Sequence, residues 1–265
     1  MTATRLLQDG SYRSGIALPQ DLSTILQRCR LRADKVSGSE VMMAGSIAVL
    51  VSGGLDSAIL LAEMRLTLST VHPLYLRGGL LWEGVELHHL RRFLDAIQSP
   101  EVQPLHVLEL PLRDLYGAHW SLTGRDVPDG SSPDEAVFLP GRNVLLLSKA
   151  MLWCHLKDVP AIALATLRSN PFPDATPEFF ETYEAVVNRA ISGSVQVVRP
   201  YETLAKTEVM SRGRDLPLGL TFSCIQPIEG RHCGRCNKCA ERRHAFRDAE
   251  MADPTEYQQD HGTRS

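Results

Sequence analysis

The chain has 265 residues, of which 43% are hydrophobic and 22% are charged, so it can form one large core or a domain with a small appendage. Its formal net charge of −3 gives no general electrostatic attraction to nucleic acid. No apolar run approaches the roughly 20 residues of a membrane helix, and the start lacks a secretory signal pattern, so we expect a cytoplasmic protein with no membrane partner.

From about residue 46, strand-like and helix-like segments alternate. The predicted strands are Ile47–Val51, Val71–Leu76, Leu105–Leu110, Ala161–Ala165 and Val195–Arg199. The predicted helices are Asp56–Leu68, Glu83–Ile97, Asn143–Lys157 and Pro177–Ile191. Short apolar strands between amphipathic helices predict an α/β fold, in which helices cover both faces of a parallel sheet. Ligands of such sheets bind at the carboxyl ends of the strands.

Three segments do not follow the alternation. Residues 1–45 contain only one helix-like stretch, Asp21–Arg32. Two long connections, Arg113–Ala136 and Thr166–Thr176, interrupt the later part of the pattern. Connections of this length inside a domain are often binding elements or lids.

The first predicted strand is followed by the stretch Ser-Gly-Gly-Leu-Asp-Ser at residues 52–57, which leads directly into a helix. Its glycines permit a tight turn and the close approach of a ligand to backbone N–H groups. Unpaired donors and the positive end of the helix dipole favour phosphate at this position. Ser52 and Ser57 add hydroxyl donors, and Asp56 could hold a magnesium ion that bridges phosphates.

A capped strand-to-helix turn is the alternative interpretation of a short Ser-Gly-Gly sequence. Neither the Walker motif nor the dinucleotide-binding fingerprint is present. All six residues, placed after the first strand of a parallel sheet, resemble the PP-motif of the ATP pyrophosphatase superfamily. Members of that superfamily split ATP into AMP and pyrophosphate to activate a substrate.

Four of the six cysteines lie close together near the end of the sequence: Cys224, Cys233, Cys236 and Cys239. Four thiolates at this spacing are typical of a closed, structural zinc site, and an iron–sulfur cluster is the competing interpretation. We expect the neighbouring His232 to face solvent, since four cysteines already complete a tetrahedral site. Cys154 has the pattern of a core residue, and Cys29 stands apart.

The stretch at residues 52–57 and the four-cysteine cluster are accompanied by three further motifs. These are Pro-Gly-Arg-Asn at residues 140–143, Pro-Asp-Ala-Thr-Pro-Glu-Phe at 173–179 and Leu-Ala-Lys-Thr-Glu-Val at 204–209. The ordered set resembles the 7-cyano-7-deazaguanine synthase family over residues 46–248. The resemblance implies a Rossmann-like PP-loop ATPase domain at residues 46–222. An N-terminal extension (1–45) and a zinc-binding segment with a tail (223–265) would flank it.

The family's chemistry uses ATP twice. It adenylates the carboxylate of 7-carboxy-7-deazaguanine, and ammonia then displaces AMP to give an amide. A second ATP activates the amide oxygen for dehydration to the nitrile. The resemblance therefore implies an ATP-dependent ligase of queuosine-type biosynthesis that requires ATP, Mg²⁺ and Zn²⁺.

The resemblance also implies roles for particular residues. The residues expected to bind ATP are Ser52, Gly53, Gly54, Leu55, Asp56, Ser57, Leu74, Leu76, Arg142, Asn143 and Lys206. Asp56, Ser57 and Lys206 would act in catalysis. For Lys206 the alternative is an exposed lysine at a helix start, and for Arg142 and Asn143 it is ordinary helix capping.

The loops expected to contact the acid substrate depart from the family pattern. The usual Tyr-Gly-Gln-Arg-His-like run is replaced after the second strand, and the usual acidic and aromatic run is replaced after the fourth. The candidate substrate residues in and near these loops are Arg77, Trp82, Arg168, Asn170 and Asp174. For Trp82 the alternative is an anchor for the following helix, and for the loop arginines it is solvation.

Other functions remain open at this point. The activated deazaguanine acid could be joined to a different amine, including one on a protein acceptor. Sulfur transfer to tRNA would require a reactive cysteine outside the metal site. A zinc-ribbon module that binds nucleic acid has only Arg242–Arg247 as basic support, so nucleic acid is not the expected partner. A homodimer is also left open.

Overall fold

In the computed structural model, residues 43–258 are described, and they contain a five-stranded parallel sheet. The strands are β1 (Met43–Leu50), β2 (Leu68–Arg77), β3 (His106–Glu109), β4 (Ala161–Ala163) and β5 (Gln196–Val198). Their spatial order is β3-β2-β1-β4-β5. Successive strands are added on one side of β1 up to β3 and on its other side from β4 onward. In parallel sheets, a ligand crevice forms at such a reversal, here between β1 and β4.

Eight α-helices and three short 3-10 helices are present in the described residues. The α-helices are α1 (Leu55–Thr67), α2 (Glu83–Ala96), α3 (Arg113–Tyr116), α4 (Trp120–Thr123), α5 (Arg142–Leu156), α6 (Pro177–Ile191), α7 (Lys206–Arg212) and α8 (Asn237–Asp248). The 3-10 helices are Asp134–Val137, Pro173–Ala175 and Leu218–Leu220. No helix within residues 43–258 is both long and apolar enough to cross a membrane.

Alternate residues of β1 face opposite sides of the sheet, as the pleat of a strand requires. Ile47 and Val49 enter a core that also contains residues of α1, α2, α7 and α8. Ala48 enters a second core, which it shares with Leu147 of α5 and Phe180 of α6. Helices thus cover both faces, and the predicted α/β fold is confirmed.

The predicted elements match the observed ones with shifts at their ends. β2 begins at Leu68, directly after the last residue of α1, whereas the sequence predicted a start at Val71. The predicted loop over residues 113–136 contains α3, α4 and the start of a 3-10 helix. The predicted helix Asp21–Arg32 lies outside the described residues.

The C-terminal segment packs on the sheet unit. Its helix α8 packs against α7, and directly before the segment the Phe222 N–H donates to the Gly53 carbonyl at 2.7 Å. The cysteines of this segment share a core cluster with Leu80 and Trp82, which follow β2. The division of the chain at residue 222 stays a prediction, because the two parts are in contact along this cluster.

Candidate functional site

The turn between β1 and α1 has a backbone that suits glycine. Gly53 has a φ of +74°, in the left-handed region that side chains disfavour. A Cβ at Gly53 would lie 3.1 Å from Cγ and 3.2 Å from the carbonyl oxygen of Glu86. Both the conformation and the space at this position therefore exclude a larger residue without rearrangement.

Two serines fix the shape of this turn. The Ser52 N–H donates to Ser57 Oγ at 3.2 Å, and the two hydroxyl groups are also 3.2 Å apart. Ser57 Oγ donates to the Gly54 carbonyl at 3.3 Å. Gly54, the N-cap of α1, offers no side chain to cap it, which leaves the first N–H groups of α1 free for an anion.

A network of charged side chains lies beside the turn. Lys206 Nζ, at the start of α7, donates to both carboxylate oxygens of Asp56 at 2.8 Å. It also lies 3.9 Å from Glu241 of α8, which pairs with Lys238. Asp56, Lys206, Lys238 and Glu241 all line one cleft with a cavity volume of about 350 Å³. The network joins three helices at the carboxyl edge of the sheet.

The opposite wall of the cleft is formed by aromatic and acidic side chains. Tyr75 donates from its hydroxyl to Glu86 Oε1 at 2.8 Å, and both residues are buried. Burial raises the pKa of Glu86 to about 8, although the Tyr75 and Trp82 donors and the charge of Arg142 act in the opposite direction. Burial and the neighbouring Glu86 also raise the pKa of Tyr75.

Glu83 organises the loop after β2. Its Oε1 accepts from the Gly78 N–H at 2.6 Å and its Oε2 accepts from the Gly79 N–H at 2.7 Å. Trp82 is 5% exposed, lines the cleft, and stacks on Trp120 with ring centroids 5.9 Å apart. Trp82 and Glu83 thus form a fixed wall of the cleft.

The start of α5 presents Arg142 to the cleft. Its neighbour Asn143 instead binds Asp174, since the Asn143 N–H donates to Asp174 Oδ2 at 2.9 Å and its Nδ2 donates to the Asp174 carbonyl at 2.8 Å. Neither Asn143 nor Asp174 lines the cleft. In this structure the pair connects α5 to the loop before α6.

Arg77, Arg168 and Leu74 also do not line the cleft in this structure, and their roles stay predictions. Arg77 is exposed and pairs with Glu109 on the neighbouring strand at 3.6 Å. Arg168 is exposed, and only its backbone N–H is engaged, with the Leu204 carbonyl. The Leu74 carbonyl accepts from the Val51 N–H in the sheet, whereas Tyr75 and Leu76 line the cleft.

The four C-terminal cysteines come together as expected for a metal site. Their sulfur atoms all lie within 4.8 Å of one another, and all four residues are buried. The Cys224–Cys236 and Cys233–Cys239 sulfur pairs are 3.8 and 3.9 Å apart. The backbone N–H groups of Gln226 and Cys233 point to Cys224 Sγ, each at 3.3 Å, and favour a thiolate there.

His232 does not face solvent, and that expectation was wrong. It is 3% exposed, and its Nε2 accepts from the Ser223 N–H at 3.1 Å. Its ring lies 4.4 Å from the ring of Phe222. Burial lowers the pKa of His232 to about 3, so its ring is neutral and acts as a packing and hydrogen-bonding residue beside the cysteines.

The structure adds residues that the sequence did not indicate. Glu83 and Glu86 lie on the face of α2 that also buries Leu87, Leu90 and Phe93, so two acids at core positions were an available signal. Arg242 of α8 is 1% exposed and lines the cleft. Its guanidinium donates to Thr221, Ser223, Thr255 and the Leu218 carbonyl.

Cys154 is a core residue, as predicted. It is fully buried among the apolar side chains behind α5, and burial raises the pKa of its thiol to about 12. A thiol with this pKa is a poor nucleophile at neutral pH. Cys29 lies outside the described residues.

Comparison with known proteins agrees with the resemblance found in the sequence. The family model described as queuosine biosynthesis protein QueC matches residues 46–250. A 7-cyano-7-deazaguanine synthase of Thiobacillus denitrificans is 34% identical over 223 residues, which are 79% of this chain and 96% of that protein. One from Syntrophus aciditrophicus is 31% identical over 225 residues, or 78% of this chain and 94% of that protein.

Solved structures resemble the chain only weakly. A 4-thiouridine synthetase in complex with RNA and bound ATP has a TM-score of 0.43 and 15% identity, over 80% of this chain and 47% of that chain. The assignment therefore rests on the family model and on the relatives matched over nearly their whole length. The chain belongs to the QueC family, whose members are enzymes of the PP-loop ATP pyrophosphatase superfamily.

Proposed function

We propose that this protein is an ATP-dependent ligase that converts 7-carboxy-7-deazaguanine and ammonia into 7-cyano-7-deazaguanine, a step in queuosine-type biosynthesis. One observation carries the proposal: the serine–glycine turn and the Asp56–Lys206 ion pair share one cleft at the carboxyl edge of the sheet. The relatives named 7-cyano-7-deazaguanine synthase match the chain over 94–96% of their length, which supports the same activity here.

The proposed reaction has two activation steps. A carboxylate oxygen of the acid attacks the α-phosphorus of ATP, and pyrophosphate leaves. Ammonia then attacks the acyl carbon, loses a proton, and displaces AMP to form the amide. The amide oxygen attacks the α-phosphorus of a second ATP, pyrophosphate leaves, and the nitrogen loses one proton. Loss of AMP together with the second proton from nitrogen leaves the nitrile.

The residues of the turn would bind the end of ATP that leaves. The free N–H groups at the start of α1 and the hydroxyl groups of Ser52 and Ser57 are donors suited to the β- and γ-phosphates. Lys206 Nζ adds a positive charge that stabilises pyrophosphate as negative charge develops on it. Asp56 lines the cleft, is partly exposed, and fits Mg²⁺, which prefers carboxylate oxygens and would offset the phosphate charge.

We further propose that the cysteine cluster holds zinc. A zinc ion bonded to four thiolates at about 2.3 Å has sulfur–sulfur edges of about 3.8 Å. Two of the six separations, 3.8 and 3.9 Å, fit that tetrahedron, and all four sulfur atoms lie within 4.8 Å of one another, closer than the cysteine ligands of a multi-iron cluster. Four cysteines leave no position open for substrate, so the ion would stabilise structure.

A different amine acceptor remains the alternative within the same chemistry. Adenylation needs the turn and Asp56–Lys206, which are present, whereas the acceptor is set by the walls of the cleft. Turnover with ammonium alone would favour the nitrile route. AMP release that requires an added amine or protein would favour the alternative.

The nucleotide products test the adenylation step. With ATP, magnesium, ammonium and 7-carboxy-7-deazaguanine, the protein should release AMP and pyrophosphate in equal amounts. Asp56→Asn and Lys206→Ala should each lower this rate at least 100-fold, because Asp56 would hold Mg²⁺ and Lys206 would offset the phosphate charge. Glu109→Gln, at the end of β3 and outside the cleft, is the control with the normal rate. Release of ADP and phosphate would contradict the proposal.

A further inference from the structure

The cleft contains a buried carboxyl group to which the proposed chemistry gives no role. Glu86 is 8% exposed, lines the cleft, and runs past Gly53 on the inner side of the turn. Its Oε1 accepts the hydroxyl of Tyr75. Burial of a carboxyl group is unfavourable unless hydrogen bonds or charges compensate for the lost water.

The other three acidic residues that line the cleft have partners. Asp56 is paired with Lys206, and Glu241 is paired with Lys238. Glu83 accepts two backbone N–H groups in the loop after β2. Among the acidic residues described in the cleft, Glu86 is therefore the one that has neither an ion pair nor hydrogen bonds from backbone N–H groups.

Other side chains that line the cleft suit a flat ring. Trp82 and Phe172 line the same cleft, and Phe172 stacks on Phe138 with ring centroids 5.1 Å apart. Asn170 also lines the cleft, and its Oδ1 accepts from the Phe172 N–H at 3.1 Å, which orients its Nδ2 as a remaining donor. The wall thus offers apolar faces, a carboxylate acceptor and an amide donor.

Among purine-like rings, these groups complement a guanine type. A guanine ring presents two adjacent donors, N1–H and the 2-amino group, and a carboxylate can accept both at once. Its neighbouring carbonyl can accept from an amide donor. The corresponding edge of adenine has a ring nitrogen acceptor, which would be repelled by a carboxylate.

We infer that Glu86 binds the N1–H and 2-amino edge of a guanine-type ring and thereby determines which base the cleft accepts. The inference rests on the proposed function, because it identifies how that same site would hold its deazaguanine acid. It makes Glu86 a specificity-determining residue for the acid substrate and gives it no part in binding ATP.

The electrostatics of the wall support this role. Burial raises the pKa of Glu86 to about 8, while Tyr75 of β2, Trp82 at the start of α2 and Arg142 of α5 lower it and Glu83 of α2 raises it. Two N–H donors from a ligand favour the ionised form. Binding of the base should therefore release a proton near neutral pH, and its affinity should rise as the pH approaches 8.

The test measures binding by calorimetry with two probes, 7-carboxy-7-deazaguanine and its analogue without the 2-amino group. The wild-type protein should bind the first at least tenfold more tightly, since a charged hydrogen bond contributes about 1.5–3 kcal/mol. Glu86→Gln should reduce that preference at least fivefold and leave ATP binding unchanged. Tyr75→Phe, which removes only the hydroxyl donor, should reduce it less, and Glu109→Gln should keep the full preference.

Two results would overturn the inference: equal binding of both probes by the wild type, or an unchanged preference in Glu86→Gln that still binds ATP. Loss of ATP affinity in Glu86→Gln and Tyr75→Phe would assign Glu86 to the nucleotide and also overturn it. The inference about Glu86 and the proposed function can be refuted independently of each other. Discrimination between the probes without any turnover would refute the function alone, and turnover without discrimination through Glu86 would refute the inference alone.

Discussion

Gly53 is the residue at which the turn between β1 and α1 has least room for a side chain. Its φ of +74° disfavours any side chain, and a Cβ would approach Glu86 to 3.1 Å. We expect Gly53→Ala to lower the free energy of unfolding by about 1–3 kcal/mol and to reduce AMP release strongly. Thermal unfolding and the pyrophosphate assay measure the two effects.

Gly84, in the first turn of α2, is the matched control for this substitution. A Cβ there would meet no atom within 4 Å, and its φ is not positive. Gly84→Ala should therefore be neutral or stabilise the protein by up to about 1 kcal/mol, because alanine favours helix. Equal effects of the two substitutions would contradict the account of the turn.

Glu86 should make stability depend on pH in a defined direction. Burial raises its pKa from 4.5 to about 8, so the folded state binds the proton more tightly than the unfolded state. Its contribution is fully present below pH 4.5 and is lost as the pH rises through about 8. Glu86→Gln cannot ionise, so between pH 5 and 9 it should gain stability relative to wild type, by roughly 4 kcal/mol at most.

Denaturant unfolding of both proteins across this pH range measures the difference. Other titrating groups are common to the two proteins and cancel. A gap between Glu86→Gln and wild type that did not change with pH would show that Glu86 is ionised throughout.

The strand-to-helix turn at residues 52–57 could be predicted, whereas contacts that depend on side-chain direction could not. The turn at 52–57 is contiguous, so its glycines and serines identify it. Arg77 was expected in the cleft because it follows β2, but its side chain pairs across the sheet edge with Glu109. Glu86 and Tyr75 meet only after α2 has packed on β2, which no local pattern shows.

At the scale of elements, α8 connects the metal site to the cleft. It is capped by Cys236 and contains Cys239 in its first turn, and it carries Lys238, Glu241 and Arg242 into the cleft wall. A bound metal would stabilise the segment that places these side chains. The cysteines would then act on the site through the position of α8.

Cys236→Ser tests this connection. We expect the variant to retain less than one zinc per chain, to unfold at a temperature several degrees lower, and to lose most of its AMP release. Elemental analysis, thermal unfolding and the pyrophosphate assay provide the three readouts. Cys154→Ala is the control, since it removes a buried thiol on α5 and should keep the full metal content.

Two results would contradict this account of the cysteine cluster and α8. Iron and a brown colour in the purified protein would contradict the zinc assignment. A metal-free Cys236→Ser protein with normal turnover would show that α8 holds its position without the ion, and the proposed connection would then be wrong.

The order of elements was predictable because strands and helices alternate with clear apolar patterns, and the five strands appear where the sequence places them. Their ends were less predictable. β2 extends back to Leu68 because its first residues pair with β1, a tertiary contact that the local pattern does not contain. The short helices α3 and α4 are only four residues each, which is too short for a periodic signal.

At the scale of the whole molecule, the cleft is assembled from distant parts of the chain. Its basic side comes from α7 and α8, and its aromatic and acidic side comes from β2, α2, the 3-10 helix that ends at Val137 and the loop at Phe172. The sequence predicted the edge of the sheet where these parts meet, because parallel strands end there. It did not predict His232 as a buried neighbour of the metal site, since that depends on the packing of Phe222 and Ser223.

The measurement that tests the central claim most directly is the mass of the reaction product. The full chain is incubated with ATP, magnesium, ammonium and 7-carboxy-7-deazaguanine, and the small molecules are analysed by mass spectrometry with ¹⁵N-labelled ammonium in parallel. The account predicts 7-cyano-7-deazaguanine with one labelled nitrogen, preceded by the labelled amide, and two AMP per nitrile. Unchanged acid in the presence of ATP hydrolysis to ADP, or no consumption of ATP at all, would contradict it.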